Sequence, residues 1–120
     1  MRYICMVHFE GRLLDEMPPA ERQIFNRRSS DYDRELQEKG HYVIAEAIQG
    51  GDSAVLVRVR NGRPTTTDGP YIETKEQMAG FILIEARDMN EAIRLASGIP
   101  LAELGTIEVR PIYQIPGAPA

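Results

Sequence analysis

Ten consecutive residues, Thr67-Asp68-Gly69-Pro70-Tyr71-Ile72-Glu73-Thr74-Lys75-Glu76, hold the densest chemistry in the chain. Asp68 is a carboxylate that could act as a general base at the rim of a pocket. It could equally cap its own turn, because Asp commonly hydrogen-bonds a backbone N–H two residues on. Gly69 allows a positive φ or a close backbone approach, and Pro70 fixes its own φ while pushing Gly69 away from the helical region. Glu73 and Lys75 are two apart, so in an extended segment they share a face, with Glu76 opposite. Partly buried, such a pair shifts both protonation equilibria and can bind a carboxylate or phenolate; solvated, it does little. Tyr71 can stack on a ligand or fill an interface core. Thr67 completes the polar set.

Elsewhere the reactive side chains are sparse. His8 shares a strand face with Ile4 and Met6, where an imidazole can serve as a base or be satisfied structurally. Arg58 can neutralise an anionic ligand, pair with Asp68, or form a structural salt bridge. His8 and His41, the two histidines, are far apart and have no metal-ligand spacing, so neither a metal nor another cofactor is expected. The single cysteine, Cys5, lies in the apolar run Tyr3-Ile4-Cys5-Met6-Val7 and reads as a buried small hydrophobe rather than a nucleophile.

Elements must hold these residues. Arg2 to Phe9 reads as a strand with Tyr3, Cys5, Val7 and Phe9 on one face and Ile4, Met6 and His8 on the other. Leu13 to Met17 reads as an irregular connection. Pro18-Pro19 opens a helix running to about Lys39, with Ile24, Phe25, Tyr32 and Leu36 as its apolar stripe and Arg22 among its outward residues. Gly40 stops it. His41 to Gln49 is a second strand, with Tyr42, Ile44 and Ile48 facing one way. Ala54 to Arg60 and Arg63 to Thr67 form a hairpin about Asn61-Gly62, and Pro64 puts the return strand at a sheet edge. Met78 to Ala86 is another strand, followed by a helix capped by Asp88 and Glu91 that buries Ala92, Ile93, Leu95 and Ala96. Thr106 to Ile112 is the last strand.

This order predicts an α+β fold: a ferredoxin-like antiparallel sheet with two helices on one face. Two helices leave the other face bare, although at least three strands are apolar on both sides. Each large aliphatic side chain left in water forgoes ~1.5–3 kcal/mol, so the bare face should meet a second copy and form a dimeric α/β barrel with end cavities for a small ligand.

The totals agree with a single globular domain over 1–120 with a loose tail from about 114: 42% of residues are hydrophobic and 27% charged. A net charge of -4 speaks against nucleic acid as a partner. No run approaches the ~20 apolar residues of a membrane span and no charged-then-apolar leader follows Met1, so a cytoplasmic location is expected.

Asp68 to Glu76, Asp-Gly-Pro-Tyr-Ile-Glu-Thr-Lys-Glu, resembles the signature of the DGPF (DGPFAETKE) branch of YCII-related proteins, with Tyr71 in place of Phe and Ile72 in place of Ala. Ala54 to Gly62, Gly80-Phe81, Glu91-Ala92 and Glu108-Val109-Arg110-Pro111 extend the likeness over nearly the whole chain. The resemblance implies a dimeric α+β barrel and, through genes neighbouring extracytoplasmic-function sigma factors, a regulatory setting. Related dehydrochlorinases and lactone-processing enzymes are expected to use a histidine of the first helix with an aspartate, but Pro18 to Lys39 contains no histidine. Two functions follow as expectations. One is a metabolite-binding or regulatory dimer linked to sigma-factor systems. The other is a cofactor-independent elimination or proton transfer on a small aromatic or lactone acid. Asp68 or His8 would be the base, with Lys75 or Arg58 holding the anion and Thr67, Gly69, Pro70, Tyr71, Glu73 and Glu76 lining the site.

Overall fold

The computed structural model describes residues 1–119. In chain order its elements are β1 (Arg2–Phe9), α1 (Arg12–Asp15), α2 (Pro19–Glu38), β2 (Tyr42–Ala47), β3 (Val55–Arg60), β4 (Arg63–Asp68), β5 (Gln77–Glu85), α3 (Met89–Ala96) and β6 (Thr106–Pro111). Short 3-10 turns occupy Gly51–Ser53 and Pro100–Glu103. Four strands form one sheet in the order β2-β5-β1-β6, with every pairing antiparallel. This is the ferredoxin-like order expected of a split β-α-β arrangement. One face carries the core: Tyr3, Cys5, Val7, Phe9, Ile82 and Ile84 bury against Leu36 of α2 and Ala92, Leu95 and Ala96 of α3. Cys5 is fully buried there, and desolvation pushes its thiol up to about 11, which keeps it protonated and inert.

The helix ends follow local rules. Asp88 Oδ1 accepts the Glu91 N–H at 2.9 Å, and Glu91 Oε1 reaches back to the Arg87 N–H at 2.9 Å. Pro19 starts α2, where its missing N–H costs nothing. Tyr32 of α2 donates its hydroxyl to Leu95 O at 2.5 Å, tying the two long helices together. Gly98 makes this possible, because a Cβ there would collide with the Tyr32 hydroxyl.

Several expectations change. The β3–β4 hairpin turns at Asn61-Gly62 with φ of 53 and 74°, as a type I′ turn requires, but it forms its own two-stranded sheet rather than the edge of the main one. Pro64 lacks a donor, and the Arg and Thr side chains of β4 have no apolar face to offer a neighbour. Leu13 to Met17 begins with a helical turn, α1, rather than an irregular link. Ile24 is 57% exposed, outside the inner stripe of α2. Arg22, expected to face water, is half-buried and donates through Nε and Nη2 to Leu14 O at 3.1 and 2.5 Å. Ile93 faces outward on α3. An irregularity between Tyr42 and Ile44 puts the two on opposite faces, because Val43 is an extra residue in the β2–β5 register. No helix of the described residues is long and apolar enough to cross a membrane.

The second sheet face has no helix over it. Ile4 and Met6 of β1 lie opposite Leu83 and Phe81 of β5, and Ile44 of β2 pairs with Leu83, giving a central apolar strip. Glu46, Glu108 and Arg110 pair with the same residues from the outer strands and border the strip with charge. Val55, Val57 and Val59 form an exposed stripe on β3. With this hairpin extended, the radius of gyration is 16.5 Å, above the ~14 Å expected of a compact chain this long.

Candidate functional site

The concavity with the most apolar lining lies beneath α2, on the helix-covered side of the sheet. From α2, Ser29, Tyr32 and Asp33 face inward on consecutive turns, spaced so that Ser29 and Asp33 stand one above the other. Val7, Ala45 and Ile82 form the sheet wall, and Ile99, Pro100 and Leu101 close the end through the second 3-10 turn. The volume of this open-sided concavity is about 130 Å³. Gly80 shapes the wall: a Cβ there would approach Glu46 O to 2.6 Å, so a side chain would separate β5 from β2. Asp33 is half-buried against this apolar lining, and loss of solvation raises its carboxyl above the ordinary aspartate value. Among the described residues no Lys, Arg or His lines the cavity; Asp33 supplies the carboxylate that faces it, while Glu46 borders it through its backbone, its side chain lying in register with Phe81 on the open sheet face. Sequence reading passed over Asp33 and Ser29. The signal was available: two polar residues four apart, in phase with Tyr32 and Leu36 on the inward stripe.

The residues singled out in the sequence fall in three places. Asp68 ends β4 opposite Val55 and is exposed, and Thr67 pairs with Leu56 beside it. Gly69 follows with φ 109° and donates its N–H to Ala54 O at 2.8 Å, which anchors the turn through backbone rather than through the Asp68 carboxylate. Pro70 packs its ring where a Cβ on Gly51 would lie 3.1 Å away. Glu73 and Lys75 are exposed. Tyr71, 79% exposed, shares with Arg58 a shallow groove along β3.

The third place is the open sheet face, where His8 and Glu76 do converge. His8 Nε2 lies 3.1 Å from Glu108 Oε1, and Thr106, the register partner of His8, donates Oγ1 to Glu76 Oε1 at 2.9 Å. The carboxylate beside the ring fixes its orientation and leaves Nδ1 for other contacts. Asp68 is not among the hydrogen-bond partners of this group. His41 is half-buried, with Nδ1 2.8 Å from Glu85 O.

A family model described as the YCII-related domain matches residues 1–116. An uncharacterized protein of Rhizobium meliloti (strain 1021) is 28% identical over 114 residues, covering 93% of this chain and 92% of that one.

Proposed function

Because the chain belongs to the YCII-related domain family, we propose that it is a homodimeric small-molecule-binding protein of the DGPF branch, working as a metabolite-binding or regulatory module tied to sigma-factor systems. The observation that carries the binding reading is the cavity under α2, about 130 Å³, apolar apart from Ser29, Tyr32, the carboxylate of Asp33 and the backbone of Glu46. Pre-formed apolar concavities with a few convergent polar groups are where small ligands bind. The dimer reading rests on the uncovered strip of Ile4, Met6, Ile44, Phe81 and Leu83. In such a dimer Asp68, Thr67, Gly69, Pro70, Tyr71, Glu73, Lys75 and Arg58 border the junction between the two copies.

A thermal-shift screen of small metabolites tests the reading. Hits that raise Tm in the wild type, and fail in Ala45→Leu, where three added carbons occupy the cavity, support it. A screen without hits, or hits indifferent to Ala45→Leu, contradicts it.

The His8–Glu108 contact favours a second reading: proton abstraction and elimination on a small aromatic or lactone acid, with the oriented imidazole as base. Turnover of chlorinated or lactone acids that disappears in His8→Asn or Asp68→Asn, and survives Glu21→Gln, would establish it. Absence of turnover in the wild type leaves the binding module.

A further inference from the structure

The class of ligand can be narrowed from the lining of the cavity under α2, an inference that rests on the binding reading above. About 130 Å³ is close to the ~150 Å³ of an apolar cavity able to hold benzene, so one six-membered ring or a short branched chain fits. The wall is hydrocarbon from Val7, Ala45, Ile82, Ile99 and Leu101. Facing it from α2 is a carboxylate, Asp33, for which no hydrogen bond or ion pair with another side chain is formed among the described residues. Every cationic side chain is absent from the lining. An anionic ligand would meet Asp33 with no cationic side chain in the lining to offset it, and like charges at a partly desolvated site repel strongly.

We propose that this cavity takes a small organic ammonium ion: one ring or short branched chain against the aliphatic wall, its ammonium donating to the Asp33 carboxylate, with the Ser29 hydroxyl as a further acceptor. A charge-assisted hydrogen bond of this kind is stronger than a neutral one. Tyr32 contributes its ring, because its hydroxyl is committed to Leu95 O. The lining therefore selects on charge as well as size, against the aromatic and lactone acids of the elimination reading.

The probe is benzylammonium, with benzyl alcohol and benzoate as neutral and anionic molecules of similar size, titrated into isotope-labelled wild-type protein and followed by amide and methyl shifts. Benzylammonium is expected to shift Val7, Ala45, Ile82 and Ile99 and to bind at least tenfold tighter than the alcohol at neutral pH. That preference should vanish in Asp33→Asn, which keeps the shape of the side chain. Its affinity should also rise with pH as the Asp33 carboxyl ionises. Equal or tighter binding of the alcohol or benzoate at these residues overturns the ammonium assignment while the small-molecule reading stands. Silence of these residues toward all three probes overturns the ammonium assignment, and the metabolite screen above then decides the wider reading separately.

Discussion

Asp33 is the residue on which most turns. Its carboxyl is raised because burial under α2 penalises the charged form. The native state therefore holds this proton more tightly than the unfolded chain, whose aspartate titrates near pH ~3.9. The resulting stabilisation is complete below that unfolded value and is lost as pH rises through the higher native one. Asp33→Asn removes the penalty, so urea unfolding at pH 7 should show a higher midpoint than wild type, with the gap closing toward pH 3. A lower midpoint at pH 7 would mean that Asp33 has a partner after all. Glycines give a second test at this scale. Gly69→Ala has room for its Cβ, with Glu73 Oε1 3.8 Å away as the nearest atom, so its cost is the positive φ alone, ~1–2 kcal/mol. Gly98→Ala instead drives a methyl into the Tyr32 hydroxyl and should cost ~1–3 kcal/mol through overpacking. Tyr32→Ala combined with Gly98→Ala should cost less than the sum of the two single changes, as a double-mutant cycle would register.

At the scale of elements, the hairpin is the separable part. Two strands alone are marginal in water, and β3–β4 forms a sheet of its own. Replacing Asn61 and Gly62 by Ala forces two alanines to positive φ, at ~1–2 kcal/mol each. The amides of β3 and β4 should then exchange at least tenfold faster while that of Cys5 in β1 keeps its protection. Uniform loss of protection would show that the hairpin is energetically continuous with the core. Legibility in the sequence followed the strength of local signals. Asn61-Gly62, Pro19 and Asp88 with Glu91 were readable because each acts through its neighbours alone. The extra residue Val43 and the outward turn of Ile24 were not, because both depend on what lies across the fold. The same limit applies to function. Asp68 to Glu76 is conspicuous as a string of residues, whereas Ser29 and Asp33 become conspicuous only when β5 and the Pro100 turn are brought against α2.

For the whole molecule, the sheet's two faces decide the account. One is closed by α2 and α3; the other presents Ile4, Met6, Phe81 and Leu83 at its centre and Ile44, 44% exposed, beside them. With the exposed valines of β3, these are apolar side chains that a second copy could cover. A twofold pairing of such strips would bury them face to face. Leu83→Lys, which places a charge at the centre of the strip, should shift the protein to single subunits without unfolding the helix-covered core. Sedimentation equilibrium of the wild type from about 1 to 100 micromolar measures the claim most directly. We expect twice the mass of one chain across that range in the wild type, and one chain mass for Leu83→Lys. A folded wild type that stays at a single chain mass at the highest concentration would contradict the pairing, and with it the placement of Asp68 to Lys75 at a junction between copies.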